Sequence, residues 1–170
     1  MAFAIPSFAM PTEPMMGETP RGSAESMNFV AHLSGKLWTS RVAPNVTYGP
    51  IVTLGEGQAI FHVDKDGDAI TFMLIVANIQ NVTMAHIHLD DGSPVGPIVV
   101  WLYPRTPPLK EIPGRFDGIL MSGTITASNL VGELEGKSLS TLLEKIENGN
   151  AYVVVHTTQH PPGEIRGWIH

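Results

Sequence analysis

The sequence lacks cysteine altogether and is poor in charge of either sign. The absence of cysteine excludes disulfides, thiolate metal sites, cysteine nucleophiles and iron–sulfur clusters. Lys and Arg number 10 against 16 Asp and Glu, a formal net charge of −6. Because the basic residues form no cluster, we expect no nucleic-acid partner and no binding to anionic membranes. No apolar run approaches the roughly 18 residues that cross a bilayer, so no membrane span is predicted.

What the chain does contain is an unusual number of turn-forming residues. Its 170 residues include 17 glycines and 14 prolines, and 43% of the chain is hydrophobic. Such a load interrupts helices repeatedly but suits many short strands joined by turns, so we predict one all-β domain. Residues 1–27 show no sustained period and are predicted to form a flexible N-terminal arm, with the β-barrel domain over 28–170.

The β-like runs are short and regularly spaced, as in a sandwich or barrel. The eight predicted strands lie near 28–38, 56–63, 68–77, 83–89, 97–103, 117–125, 151–157 and 164–169. The turn Asp64-Lys65-Asp66-Gly67 predicts a hairpin between the second and third strands, since Asp and Gly tolerate the positive φ of a tight turn. One short helix is expected around Ser138 to Asn148. Several prolines predict loops over 39–55 and 104–116.

The clearest chemical signal is the strand-like run Met84-Ala85-His86-Ile87-His88-Leu89. Alternate side chains of a strand point the same way, so His86 and His88 project from one face and can converge on one ion. A third imidazole, His156, ends the β-branched run 151–157. Three histidines on rigid strands would hold a metal ion with one coordination position open.

The other histidines are less specific signals. His62 and His32 are predicted to face outward from their strands. His160 lies in the loop after His156 and is a candidate fourth ligand, since loop residues often complete functional sites. Near the C-terminus, Glu164 and Arg166 share one side of a strand, and two interpretations stay open. The two side chains form an ion pair, or Arg166 stands near the metal and attracts a small anion.

Several separated motifs together resemble the CHRD domain, which is named for chordin. The motifs are Ala85-His86-Ile87-His88, Gly96-Pro97-Ile98-Val99-Val100, Gly123-Thr124-Ile125-Thr126 with Leu130, Gly149-Asn150-Ala151-Tyr152-Val153-Val154-Val155-His156-Thr157, and Pro162-Gly163-Glu164-Ile165-Arg166-Gly167. They occur in order across residues 28–170. The chain departs from the family pattern at Ser40-Arg41-Val42-Ala43-Pro44, where a Glu-Val-Pro-Pro segment is usual.

At greater distance the CHRD domain resembles the Greek-key barrel of copper/zinc superoxide dismutases. This resemblance implies an eight-stranded antiparallel barrel in which His86, His88 and His156 bind copper and Arg166 guides superoxide. No histidine lies between His88 and His156, so the bridging histidine and the zinc subsite of that family have no counterpart. The general affinity order also favours Cu(II) over Zn(II) at three imidazoles, with zinc as the alternative.

The resemblance further implies a secreted, periplasmic or cell-surface location. The function that the resemblance implies is metal binding, together with superoxide dismutation. One alternative is a non-catalytic extracellular interaction module, in which the histidines are packed and the loops 39–55 and 104–116 bind a protein or carbohydrate. A third hypothesis is a zinc ion with a purely structural role. A homo-oligomer or an extracellular protein partner is compatible with each hypothesis.

Overall fold

A computed structural model describes residues 27–37 and 49–170. The strands are β1 (Asn28–Ser34), β2 (Glu56–Val63), β3 (Ile70–Leu89), β4 (Ile98–Tyr103), β5 (Ile112–Ile125), β6 (Ala151–Thr157) and β7 (Ile165–Trp168), and the helix is α1 (Leu139–Glu147). The predicted N-terminal arm lies outside the described residues except for Met27, and so does most of the predicted loop 39–55. Within the described ranges, no helix is long and apolar enough to cross a membrane.

Five strands close into a barrel. Each pairs antiparallel with the next in the ring β1–β2–β3–β6–β7, and β7 returns to β1. Strands β4 and β5 extend the sheet from β3. The all-β prediction is therefore confirmed, whereas the eight-stranded Greek key is not, because the described residues form seven strands.

The missing strand is explained by the length of β3. The runs predicted as separate strands, 68–77 and 83–89, belong to one strand of 20 residues. Between them Asn78 and Asn81 have φ values of 55° and 53°, and the register with β5 shifts on both sides of Ile79. Asparagine tolerates this conformation, so the strand bends without ending and changes partners along its length.

The predicted loop 104–116 is too long at its C-terminal end. Strand β5 begins at Ile112 rather than near residue 117, and Ile112 pairs with Val82 of β3. Pro113 lies inside this strand. Its missing N–H is tolerated because, among the described strands, β5 pairs only with β3, and prolines in sheets are confined to such edges.

The hairpin and the helix are confirmed. Asp64 N–H donates to the carbonyl of Ala69 at 2.9 Å, and Gly67 takes a φ of 76°, so β2 turns directly into β3. Helix α1 begins after Ser138 and is followed by Gly149 with a φ of 69°. The apolar side of the helix joins the main hydrophobic core through Leu139, Leu142, Leu143 and Ile146.

The wall formed by β3 and β6 has two different faces. One face belongs to the main hydrophobic core, with Ala85 and Ile87 from β3 and Val153 and Val155 from β6. Side chains alternate along a strand, so the intervening residues of both strands point to the opposite face. That opposite face carries the histidines predicted to bind a metal.

Candidate metal centre

His86, His88 and His156 come together on the outer face of the β3–β6 wall. In the antiparallel register Met84 lies opposite His156, and His86 lies opposite Val154. Directly opposed residues share a face, so His156 is the diagonal neighbour of His86. One ring nitrogen from each histidine lies within 4.8 Å of the others, and the three residues are 0%, 2% and 4% exposed. The structure therefore assembles the predicted triad in a buried setting.

Two of the rings are oriented by backbone carbonyls. His88 Nδ1 lies 2.7 Å from the carbonyl oxygen of Gly96, and His156 Nδ1 lies 2.9 Å from that of Pro161. A carbonyl can only accept, so each Nδ1 carries the proton and donates it. In a neutral imidazole the other nitrogen, Nε2, then has a bare lone pair, which is the form that binds a metal.

The third ring completes the cluster through its own Nδ1. His86 Nδ1 lies 3.1 Å from His156 Nε2. Two nitrogens at this separation can bind the same ion, because metal–nitrogen bonds of about 2.0–2.1 Å then subtend an angle of roughly 100° at the metal. The Nε2 atoms of His86 and His88 are buried and have no hydrogen-bond partner among the described residues. Such orphaned polar atoms in an interior call for an ion or a water.

Burial keeps the three imidazoles neutral at physiological pH. Desolvation, reinforced by the neighbouring His156 and His88, lowers the pKa of His86 to about 2. Desolvation is also the main reason why the pKa of His88 falls to about 4, with smaller contributions from His156 and the Arg166 charge. Burial lowers the pKa of His156 as well. Metal ligation requires neutral histidine, so the site meets this condition without releasing protons.

Aromatic side chains surround the cluster. Trp101 of β4 lies edge-on to His86 with ring centroids 4.3 Å apart, and Tyr152 stacks on His88 at 5.6 Å and 18°. The Arg166 guanidinium lies 4.8 Å from the Tyr152 ring centroid and 5.5 Å from that of Trp168. These contacts hold a cation close enough to His88 to lower its pKa. Arg166 therefore lies near the histidine cluster, and both its ion pair with Glu164 and its attraction of a small anion stay predictions.

His160 is placed elsewhere. It is not part of the histidine cluster but lines a cleft of about 300 Å³ together with Thr53, Asn78 and Glu164, among others. The Glu164 carboxylate accepts hydrogen bonds from the Thr53 hydroxyl and, at 2.7 Å, from the Thr157 hydroxyl.

The two remaining histidines of the sequence analysis lie on exposed strand faces. His32 and His62 are exposed, as predicted from strand alternation. The carbonyls of Gly96 and Pro161 were not foreseen, because any residue supplies a carbonyl and only the loop path decides where it points. The contact of Trp101 with His86 was not foreseen either, since it depends on the pairing of β4 with β3.

Comparison with known proteins places the chain in a family. The fold and site define a closed β-barrel domain with a histidine cluster on its wall. The family model of the CHRD domain matches residues 29–169, and the chain belongs to the CHRD domain family. No curated protein and no solved structure matches the chain. The more distant resemblance to copper/zinc superoxide dismutases therefore gains no support from these comparisons.

Proposed function

We propose that this CHRD domain binds a single transition-metal ion through His86, His88 and His156. The observation that carries the proposal is the cluster of three buried, neutral imidazoles, in which the Nε2 atom of His88 has a bare lone pair and no hydrogen-bond partner among the described residues. Leaving a buried polar atom unpaired costs about 1–3 kcal/mol, so a cluster of this kind is costly as a purely structural feature. An ion accepting the lone pair of His88 Nε2 would offset that cost.

Copper is the favoured ion, with zinc as the alternative. Affinity of a nitrogen site for divalent metals rises to Cu(II) and then falls at Zn(II), and imidazole suits both. Three protein ligands leave a coordination position open, as substrate-accessible sites require. A copper ion held there would supply one-electron redox chemistry.

Superoxide dismutation is the activity we propose for the copper form. The reaction needs no external reductant, because one superoxide is oxidised to dioxygen while a second is reduced to hydrogen peroxide with two protons from solvent. The chain as a whole repels an anion, with a net charge of −6. The Arg166 guanidinium supplies the local positive charge that would attract superoxide towards the histidines.

The binding test compares two matched double variants. His86→Ala with His88→Ala removes two ligands, whereas His32→Ala with His62→Ala removes two exposed imidazoles from neighbouring strands. Electron paramagnetic resonance of the Cu(II)-loaded protein should show one site with nitrogen hyperfine coupling in the wild type and the control. A spectrum that the first variant leaves unchanged would reject the proposal.

The choice of metal and the activity need separate measurements. Competition between Cu(II) and Zn(II) on the metal-free protein, followed by metal analysis, decides which ion is retained. Superoxide decay is then compared with that produced by free copper at equal concentration. Decay no faster than the free ion removes the enzymatic function while leaving the metal site intact.

The proposed location of the protein rests on its family. CHRD domains are extracellular in general, which supports export of this chain; its recovery from the culture medium rather than the cell is the test.

The exposed apolar side chains Val52, Leu54 and Leu109 favour an interaction module as the second candidate function. That candidate predicts no rise in melting temperature on adding copper or zinc, since a ligand specific to the native state must stabilise it.

A further inference from the structure

Tyr152 is connected to His88 in two independent ways. Its ring, only 2% exposed, stacks on the His88 ring. Its hydroxyl accepts a hydrogen bond of 2.8 Å from the backbone N–H of Gly96. The carbonyl of the same Gly96 accepts the Nδ1–H of His88 at 2.7 Å. The amide and the carbonyl of one residue therefore join the tyrosine hydroxyl to the imidazole.

The connecting residue lies directly against β3. A Cβ on Gly96 would overlap the carbonyl oxygen of Leu89, so only glycine allows the loop to approach β3 so closely. On the neighbouring side, Leu89 N–H donates to the Pro97 carbonyl at 3.1 Å. The loop before Gly96 turns through exposed residues at 91–93. The Tyr152 hydroxyl thus ties this loop to β6 by a hydrogen bond, next to the packing of Val95 against Tyr152 and Val154.

We propose that Tyr152 is a positioning residue of the metal centre, acting on His88 through Gly96. This inference rests on the proposed metal-binding function. The hydroxyl anchors the Gly96 backbone at its N–H, and the Gly96 carbonyl, which lies in the next peptide unit, holds the His88 proton on Nδ1, so that Nε2 points to the ion. Groups that hold a ligating imidazole in this way typically contribute 10–100-fold to metal affinity.

The test removes only the hydroxyl. Tyr152→Phe keeps the stacked ring, and Tyr103→Phe is the matched control, because Tyr103 is also buried but lies on β4. We expect Tyr152→Phe to weaken Zn(II) binding about 10–100-fold in competition with a chromogenic chelator, and Tyr103→Phe to leave it at the wild-type value. Equal affinity in both variants would overturn the inference.

A second readout separates this inference from the proposed function. In the metal-free protein the hydrogen-bonded Nδ1 proton of His88 should be visible by nitrogen-edited NMR and should exchange with water several-fold faster in Tyr152→Phe than in Tyr103→Phe. If the wild type binds no metal, the proposed function fails, yet this exchange rate still decides whether Tyr152 positions His88. An unchanged rate refutes the positioning role.

Folding of the variant is checked by a cooperative thermal melt. If Tyr152→Phe does not fold, the exchange measurement is repeated on the Tyr103→Phe protein with its remaining tyrosines replaced by 3-fluorotyrosine. Fluorine weakens the hydroxyl as an acceptor while preserving its shape. Faster exchange of the His88 proton supports the inference, and an unchanged rate overturns it.

Discussion

Acid should destabilise the metal-free protein through its buried histidines. In the native state the pKa of His86 is about 2 and that of His88 is about 4, against an ordinary value of 6.5. Between these values and 6.5 the unfolded chain binds protons that the native protein excludes. The contribution of these neutral histidines to the free energy of unfolding is therefore fully present above pH 6.5 and is lost as the pH falls below it.

The magnitude of this loss of stability follows from the pH interval between the native pKa values and 6.5. Each imidazole that protonates only on unfolding costs about 1.4 kcal/mol per pH unit below 6.5. For His86 and His88 together, acidification from pH 7.5 to pH 4.5 removes about 5 kcal/mol, which approaches the entire stability of many domains.

The assay is urea unfolding of the metal-free protein at both pH values, followed by circular dichroism. The double variant His86→Leu with His88→Leu lacks the two rings and should lose about 5 kcal/mol less on acidification than the wild type. The control His32→Gln removes an exposed ring and should reproduce the wild-type loss. If the double variant loses as much stability as the wild type, the native rings are not neutral and the reasoning is wrong.

Three further predictions concern the barrel, the helix and the candidate anion site. Gly167→Ala places a methyl group against the carbonyl of His32 where β7 meets β1, so chemical denaturation should show a loss of about 3 kcal/mol or more. Leu142→Ala empties a fully buried position of α1 and should cost about 2–5 kcal/mol in the same assay; a smaller loss would mean that the helix is not packed on the core. Arg166→Gln should slow superoxide decay by the copper-loaded protein about tenfold at low salt with its copper content unchanged, and an unaltered rate would remove Arg166 from the proposed activity.

Strand β3 shows where local patterns mislead. The run between the two predicted strands contains Asn78 and Asn81, residue types that usually mark turns. In the structure both take positive φ inside a continuous strand, while Ile79 and Val82 remain fully buried. The burial of these two side chains, which depends on the rest of the barrel, outweighs the local turn preference.

The candidate site was more predictable than the strand count. A strand of alternating pattern is enough to place His86 and His88 on one face, and the β-branched run 151–157, which ends at His156, supplied the third candidate ligand. His160 shows the limit of such reasoning. It follows His156 by four residues in the sequence, but the path of its loop carries it to the separate cleft beside Glu164.

The sequence by itself determined the hairpin, the helix and the shared face of the two nearby histidines, because each depends on side-chain alternation or turn chemistry within a few residues. It also determined the all-β class, through composition, and the family, through motifs spread along the chain. Only the tertiary structure decided that His156 meets His86, since this requires one particular register between β3 and β6. It also decided which nitrogens are bare, because the carbonyls of Gly96 and Pro161 reach the rings from loops whose paths are set by the closed barrel.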